Sequence, residues 1–203
     1  MQYRKDGSEI ATELRNRICM MQSVSDNITL HEGALATEFG VSRTPIRQVL
    51  QKLSYERLVE TRSGVGTIVS PLIAADRDRH VTVLKALLVA AEKCCEGAEL
   101  PAIYRERLSV ASAMADSMQS TKESYLELRG QILDILASAL PDDILADALR
   151  AAHWRHIRWR MAEGAGEDAE AHERLKQSAR ACAEAAQRGE MPGIYKSVGD
   201  YLI

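Results

Sequence analysis

The most constraining feature of the sequence is a pair of short helical patterns that meet at Gly40. Apolar residues at helical spacing occur within residues 32–39, and Gly40 can end that helix in the left-handed conformation. Ser42 follows closely and can cap a second helix that runs to about Tyr55. Pro45 falls in the first turn of this second helix, where its missing N–H costs little. Two helices joined by so short a turn predict a helix-turn-helix.

The segment before this motif adds a third helix to the same unit. Residues 8–22 repeat apolar residues at helical spacing, and a polar break follows at 23–28. Thr29 and Glu32 have the spacing of a capping box, in which each side chain satisfies the other residue's free N–H. This pattern predicts that Thr29 begins the helix that ends at Gly40.

The segment after the motif predicts a β-hairpin. Residues 58–61 and 67–70 are rich in β-branched side chains, and between them lies a turn that contains Gly64 and Gly66. Pro71 ends the second strand. Three helices and a hairpin in this order are typical of a winged helix-turn-helix, which we assign to residues 1–71.

The rest of the chain predicts helices alone. Apolar residues make up 46% of the chain and aromatic residues only 4%, which favours packed helices over a sheet sandwich. Proline and glycine residues divide the chain after a boundary at 71–76 into six amphipathic stretches. They lie near 76–97, 101–119, 121–140, 142–163, 167–188 and 193–203. We therefore predict a mainly α protein, with an all-α bundle of about six helices over residues 76–203.

Charge and cysteine content exclude several classes of protein. The net charge is −3, but residues 43–62 hold five basic and two acidic residues, so a polyanion would meet the chain there. Four cysteines without CxxC spacing indicate reduced thiols. The charged start and the lack of a long uncharged run predict a soluble, cytoplasmic protein with no membrane partner.

The helix over 43–55 has two chemically different faces. Ile46, Val49, Leu50 and Leu53 share the apolar face, which should point to the core. The opposite face has no acidic residue and consists of Arg43, Thr44, Arg47, Gln48 and Gln51. Arginine can grip guanine, glutamine can pair with adenine, and arginine near phosphates releases counterions. Taken alone, such a helix could instead be a solvated amphipathic helix, but the neighbouring turn and hairpin favour DNA binding.

The hairpin supplies further candidate DNA contacts. Arg62 lies at its approach, and Gly64 and Gly66 at its tip would let the backbone come close to a phosphate or to the minor groove. An ordinary surface turn is the alternative for Arg62.

The quoted residues resemble a known family. The string Val41-Ser42-Arg43-Thr44-Pro45-Ile46-Arg47, with Leu58-Val59 and Gly64-x-Gly66-Thr67-x-Val69, closely resembles the winged helix of the GntR family of transcription regulators. The helical second part is similar to the FadR subgroup, whose FCD-type domain binds an effector and dimerises. The resemblance implies that Arg43, Thr44 and Arg47 contact DNA. Two pairs depart from the family pattern, Asp26-Asn27 and Glu56-Arg57, and neither threatens the fold.

The same resemblance brings a metal site into question. FCD-type domains commonly hold a metal with one Asp and three His, and our alignment places these ligands on Arg129, Leu133, Ala179 and Tyr201, with His172 as a rival for Ala179. Leu and Ala cannot bind a metal. We therefore predict that the chain uses no metal and no cofactor.

Arg129 suggests how an effector could be held without a metal. A guanidinium is a fixed cation whose planar fork matches a carboxylate, so an organic acid could bind it, with Tyr201 adding a hydroxyl donor. Alternatively, Arg129 reaches solvent or pairs with Glu127 or Asp134.

The basic and aromatic segment 154–160 leaves two interpretations open. It forms an outer face with buried indoles, or Arg155 or Arg158 lines an effector cavity. His153 and His156 share a helix face at i, i+3 spacing but show no third metal ligand, so we interpret them as solvated or core-edge histidines.

No enzyme motif stands out: the chain has no GxSxG, P-loop, HExxH or glycine-rich dinucleotide turn. The sequence predicts a non-enzymatic DNA-binding transcription regulator, with a repressor as the expected mode. We expect a homodimer on a near-palindromic operator in double-stranded DNA, with an acidic metabolite as effector. The alternatives are a DNA-binding dimer without an effector and a helical-bundle enzyme.

Overall fold

A computed structural model describes residues 6–21 and 28–203. The chain begins with helix α1 (Gly7–Met20), strand β1 (Thr29–Leu30), helix α2 (Glu32–Phe39) and helix α3 (Arg43–Tyr55). Strands β2 (Val59–Arg62) and β3 (Gly66–Val69) follow. Most of the predicted polar break at 23–28, with the pair Asp26-Asn27, lies outside the described residues.

The capping-box prediction at Thr29 is wrong. Thr29 and Leu30 form strand β1, in which Thr29 pairs with Ile68 of β3. Helix α2 begins later, with His31 in the N-cap position and without a side-chain cap bond. A β-branched residue favours this extended conformation, and its partner strand lies too far along the chain for a local pattern to reveal.

The helix-turn-helix and the hairpin form as predicted. Gly40 ends α2 at φ 64°, the left-handed conformation that glycine adopts without steric cost. Strands β2 and β3 pair antiparallel, with Val59 opposite Val69. Strand β1 adds to the free edge of β3, so the sheet order is β1-β3-β2.

The core of this unit lies between α1, α3 and the sheet. The apolar face predicted for α3 is buried, and it packs with side chains from α1 and the first residues of β2. These core residues are Ile10, Leu14, Ile18, Ile46, Val49, Leu50, Leu53, Leu58 and Val59. Their burial fixes α3 with its polar face outward.

Six α-helices follow in the part of the chain that the structure describes. They are α4 (Arg77–Cys94), α5 (Ala102–Ser117), α6 (Lys122–Ala139), α7 (Asp143–Ala162), α8 (Ala169–Gln187) and α9 (Met191–Leu202). Every end lies within three residues of its predicted position. The mainly α fold, a winged helix-turn-helix followed by a helical domain, is confirmed. A short 3-10 turn, Ala74–Asp76, lies at the predicted boundary.

Helix α7 lies at the centre of the molecule, because it packs on α4 and α6 and also on α1 of the winged helix. Trp154, Ile157 and Trp159 are buried in it, and so are the histidines His153 and His156. The two indoles are buried as expected, but the expectations of an outer face and of solvated or core-edge histidines are wrong. The polar and charged residues of the segment suggested a surface helix, whereas α4, α6 and α1 surround α7 on several sides.

Among the described residues, none of the helices combines the length and the hydrophobicity needed to span a lipid bilayer. The four cysteines are free thiols, of which Cys19, Cys95 and Cys182 are buried and Cys94 is exposed.

Candidate nucleic-acid interface and arginine cavity

The outward face of α3 presents a continuous set of polar side chains. All five residues of the predicted DNA-binding face are exposed: Arg43, Thr44, Arg47, Gln48 and Gln51. They extend from the first turn of the helix to its middle, so the positive end of the helix dipole lies beside them. We refer to these five residues as the α3 face.

Helix α2 positions the two arginines of the α3 face. Arg47 donates from Nε to Glu32 Oε2 at 2.7 Å, although its side chain remains 65% exposed. Arg43 lies over Gly33, where an added Cβ would come 3.4 Å from the Arg43 Nη2 atom. Gly33 therefore leaves just enough room for the Arg43 guanidinium.

The hairpin tip extends into solvent. Gly64 and Gly66 have φ values of 75° and 105°, which a side chain with a Cβ adopts only with strain. Arg62 lies at the base of the tip, with its Nε 2.6 Å from Glu60 Oε1. All three predicted wing residues are therefore exposed, the two glycines at the tip and Arg62 at its base.

A cavity of about 100 Å³ lies inside the helical domain, between α4, α6, α7, α8 and α9. Four arginines line it, namely Arg77, Arg129, Arg160 and Arg174, together with Tyr125, His156 and Tyr201. We call it the arginine cavity. It brings together Arg129 and Tyr201, the two effector candidates that the family resemblance implies.

Arg129 is buried at the inner wall of the arginine cavity, with 1% of its surface exposed. Its Nη2 lies 3.2 Å from His153 Nε2 and 2.9 Å from His156 Nδ1, so one group donates to two histidines. Among the described residues, no group has hydrogen-bond geometry to its Nε or Nη1, although burial lowers the pKa of Arg129 and the Tyr125 hydroxyl, which favours the charged form, partly opposes that effect. The alternative that Arg129 reaches solvent or pairs with Glu127 or Asp134 is wrong.

Burial and the nearby guanidinium keep both histidines neutral. Burial, and then the charge of Arg129, lower the pKa of His153 far below its usual value and that of His156 to about 2. A neutral imidazole can accept the Arg129 N–H bonds with an unprotonated nitrogen. The contacts therefore require protonation on Nδ1 of His153 and on Nε2 of His156. Burial also lowers the pKa of Arg129 itself.

The other arginines of the cavity are only partly neutralised. Arg77 and Arg160 share the carboxylate of Glu163, with Arg160 Nη1 3.0 Å from Glu163 Oε2, and Arg77 Nη1 also lies 3.6 Å from Asp78 Oδ1. Arg174 donates from Nε to the backbone oxygen of Tyr201 at 3.0 Å. Positive charge therefore exceeds negative charge around the cavity, an arrangement that suits an anion.

The first part of the chain is similar in sequence to known proteins. Residues 7–69 match the family described as bacterial regulatory proteins, gntR family. Over 61 residues the chain is 38% identical to the mannosyl-D-glycerate transport/metabolism system repressor MngR of Escherichia coli K12. That match spans 30% of this chain and 25% of the relative.

Residues 7–69 are a GntR-family helix-turn-helix domain.

Solved structures resemble the whole chain in fold. E. coli McbR/YncC has a TM-score of 0.64 at 16% identity, over 96% of this chain and 92% of that one. A Rhodococcus sp. RHA1 protein described as a putative GntR transcriptional regulator has a TM-score of 0.59 at 17% identity, over 97% and 93%. Both therefore share the fold of this chain across the GntR domain and the helical domain.

The residues of the helical domain do not fit the metal that FCD-type domains hold. Leu133 and Ala179 are buried and cannot ligate a metal, and the lone pairs of His153 and His156 point to the Arg129 guanidinium instead. Within residues 6–21 and 28–203, no group of three or more His, Cys, Asp or Glu side chains is placed to hold a metal ion.

The structure does not bring Arg155 and Arg158 to the arginine cavity. In the described part of the chain, both lie outside its lining. Arg158 is buried and donates from Nη1 to the backbone oxygen of Ser70, at the end of the GntR domain, at 2.6 Å. Arg155 is half-buried, and burial, followed by the charges of Arg79 and Arg57, lowers its pKa.

Sequence reasoning missed the contacts that join the GntR domain to the helical domain. Arg15 of α1 makes two hydrogen bonds to Glu56, which follows α3, and its guanidinium lies 4.9 Å from the ring centre of Trp154 on α7. In the sequence, Glu56 stands out only as part of the departing pair Glu56-Arg57. Arg57 adopts φ 60°, the one non-glycine residue in the described chain with a positive φ.

Proposed function

We propose that the chain is a sequence-specific DNA-binding transcription regulator whose helical domain dimerises and senses a small organic acid. The observation that carries the DNA-binding part is the exposed α3 face. It presents two arginines, two glutamines and a threonine without an acidic residue among them, at the positive end of a helix. A helix of this kind fits the major groove, and the wing tip fits the adjacent backbone.

A dimer follows from the energetics of the interface. One winged helix makes few base contacts, so useful affinity requires two copies on a near-palindromic site. Several large apolar side chains of α4 and α5 are exposed and would be covered by a second copy. They are Val83, Val89, Ile103, Val110 and Met114. A dimer would set the spacing of the two half-sites near one helical turn or a multiple of it.

The arginine cavity supports the effector part. A cavity of about 150 Å³ holds one benzene molecule, so the 100 Å³ cavity has room for the acidic head of a small ligand. Arg129 offers donors at Nε and Nη1 that the described residues leave unsatisfied, and a buried unsatisfied donor is costly. An oxyanion would satisfy them.

The histidines change how a carboxylate meets Arg129. Nη2 belongs to both two-nitrogen edges of the guanidinium, and it already donates to His153 and His156. A carboxylate that binds across either edge must therefore share or displace one histidine. His156 lines the cavity and is the one that an entering anion meets. A carboxylate that makes the bidentate contact expected from the sequence would therefore rearrange the histidine contacts of Arg129.

Repression is the mode that one relative favours, since MngR, which resembles the GntR domain, is named a repressor. In this mode the chain occupies its operator without ligand and leaves it when the acid binds. The helical domain carries no recognised catalytic motif, so we propose binding rather than catalysis.

The test of DNA binding is selection from a random pool of duplexes by the full purified chain, followed by sedimentation of the chain with the selected duplex. We expect an enriched near-palindrome bound by two copies. Enrichment of no sequence, or a single copy on a single half-site at micromolar concentration, would contradict the proposal.

The test of the effector is a thermal-shift series with acetate, lactate, malonate and citrate. A ligand that binds only the native state raises the melting temperature. We expect at least one acid to do so for the wild type and for Arg188→Met, a change at an exposed arginine just after α8, but not for Arg129→Met. Equal shifts in all three proteins would place the acid elsewhere, and no shift at all would favour a DNA-binding dimer without an effector.

A further inference from the structure

Helix α7 contacts the arginine cavity with some side chains and the GntR domain with others. His153 and His156 hold Arg129, whereas Trp154 lies against Arg15 and Arg158 reaches Ser70. These residues occupy less than two turns of one helix. We propose that α7 couples occupancy of the arginine cavity to the seating of α3, with Trp154 and Arg15 as the positioning residues. The proposal rests on the cavity as the effector site.

The first link lies within the helical domain. Trp154 follows His153 directly in α7, and its ring packs against Gly130, which follows Arg129 directly in α6. A Cβ added to Gly130 would lie 3.2 Å from the edge of that ring, so the two helices touch closely at this point. A shift of α6 against α7 at Arg129 must therefore move the Trp154 ring.

The second link crosses to the GntR domain. The Arg15 guanidinium lies 4.9 Å from the Trp154 ring centre, within range of a cation–π contact, and both side chains are buried. The same guanidinium donates from Nε and Nη2 to the two carboxylate oxygens of Glu56, at 2.9 and 2.8 Å. Glu56 is the residue that ends α3. The Arg15 guanidinium thus joins the α7 indole to the end of the DNA-reading helix.

The geometry of Arg15 makes this link directional. A guanidinium that uses one edge for a carboxylate and also lies over an indole has its position fixed by both partners. A displaced Trp154 ring cannot keep the cation–π contact unless Arg15 moves, and Arg15 cannot move without disturbing Glu56. Movement at Trp154 is therefore converted into movement at the end of α3.

A cleft beside the link leaves room for such movement. It has a volume of about 520 Å³ and is lined from the GntR domain by Arg15, Lys52 and Glu56 and from the helical domain by Asp134 and Arg150. Close packing would resist a change in the domain angle, whereas an open cleft does not. The two domains therefore meet here through a few named contacts beside a gap.

The rearrangement at the cavity supplies the trigger. An anion that takes an edge of Arg129 removes or weakens the bond from Nη2 to His156, which belongs to α7. The Arg129 donor that joined α6 to α7 then bonds to the ligand instead of to His156. Arg129 Nη2 donates to His156 in one arrangement and to the anion in the other. The anion therefore binds the two arrangements with different affinities, which a ligand-driven switch requires.

The experiment measures amide hydrogen exchange in α3 after a substitution inside the arginine cavity, and it needs no ligand. Amide hydrogen exchange over residues 43–56 is compared in the full chain with and without His156→Phe, which removes one of the two acceptors of Arg129 Nη2. The same pair is then measured in a Trp154→Leu background and in a Trp159→Leu background. Trp159 is also buried in α7 but bonds to His80 rather than contacting Arg15, so it controls for loss of an indole.

We expect His156→Phe to change exchange over 43–56 by about fivefold or more, the low end of typical coupling between sites. The change should persist with Trp159→Leu and disappear with Trp154→Leu. An unchanged α3, or an equal change in both backgrounds, would overturn the proposal. Arg129→Met, which keeps the volume of the side chain, repeats the perturbation if His156→Phe fails to fold.

A ligand arm separates this proposal from the effector proposal. Operator affinity is measured with and without 10 mM malonate in the wild type and in Trp154→Leu. If malonate binds and weakens operator binding, we expect Trp154→Leu to keep malonate binding but lose the effect on DNA. If malonate does not bind, malonate is not an effector of this chain. The hydrogen-exchange experiment, which needs no ligand, then tests the role of α7 by itself.

Discussion

The α3 face and the surroundings of α7 use the same residue type in opposite ways. Arg43 and Arg47 are exposed, and Arg47 pairs with the surface carboxylate of Glu32, so both guanidinium groups remain able to meet a polyanion. Arg15, Arg129 and Arg158 are buried, and their donors go to a carboxylate, two imidazoles and a backbone oxygen. The exposed arginines of the α3 face can therefore bind DNA, whereas the buried arginines hold the helices and the two domains in place.

The two regions also differ in what a substitution should cost. Removing an exposed cation affects binding, since water replaces a partner at little expense. Removing one partner of a buried charged group affects the fold, since the other partner stays buried without compensation.

The largest expected effect is at the buried ion pair. Glu56→Gln removes the charge that Arg15 meets, while the side chain keeps its size. We expect a loss of about 3–5 kcal/mol in the free energy of unfolding, measured by urea denaturation. Glu60→Gln is the matched control, because Glu60 forms an exposed pair with Arg62 and should change stability by less than about 1 kcal/mol. Equal losses for the two variants would remove the distinction between the regions.

The second effect is a loss of stability in mild acid. His153 and His156 have folded pKa values far below their unfolded values, so the unfolded state binds more protons at any pH below about 6.5. Their contribution to stability is therefore complete above pH 6.5 and is lost as the pH falls. Each histidine should cost up to about 1.4 kcal/mol per pH unit in this window.

Urea denaturation between pH 7.5 and pH 5.5 measures that loss. His153→Gln and His156→Asn keep an acceptor oxygen near the position of each accepting nitrogen but do not titrate, so the double variant should lose less stability than the wild type. His31→Gln, at an exposed position, should leave the slope unchanged. A wild-type slope equal to that of the double variant would show that these histidines are not held neutral.

A smaller effect is expected at the turn that follows α3. Arg57 holds a left-handed backbone that costs an L-residue roughly 1–2 kcal/mol, and glycine adopts it without that cost. Arg57→Gly should therefore raise the free energy of unfolding by about 1 kcal/mol. Arg57→Ala is the control, because alanine keeps the Cβ; a similar gain from alanine would mean that the charge of Arg57, and not its backbone, causes the cost.

The smallest effect concerns the surface pair on the recognition side. Glu32 holds Arg47 at 2.7 Å in the free protein, and an exposed pair of this kind contributes about 0.2–1 kcal/mol. Glu32→Gln should therefore strengthen operator binding by roughly 1.5- to 5-fold, measured by fluorescence anisotropy. Weaker binding would indicate that Glu32 positions Arg47 for DNA rather than competing for it.

The sequence revealed the α3 face because everything that defines it is local. Helical spacing separates Ile46 and Leu50 from Arg43 and Arg47 within a few residues, and Gly40 marks the turn before them. The helix ends in the second half were also predictable, since proline and glycine interrupt the helical pattern near them.

The arginine cavity could not be deduced in the same way. Arg129 meets residues 24 and 27 positions away, Arg15 meets Glu56 across 41, and Arg158 meets Ser70 across 88. A pattern of spacing within one helix is silent on such partners. The resemblance located Arg129 and Tyr201 near each other, but only packing showed that two histidines already hold the guanidinium.

DNA reading by the α3 face is tested most directly by the affinity of Arg43→Ala for the selected operator, measured by fluorescence anisotropy beside the wild type and Arg188→Ala, a change at an exposed arginine just after α8. We expect a loss of roughly 1–3 kcal/mol of specific binding for Arg43→Ala, with unchanged thermal stability, and no loss for Arg188→Ala. An Arg43→Ala protein that binds the operator as tightly as the wild type would show that the α3 face does not read DNA.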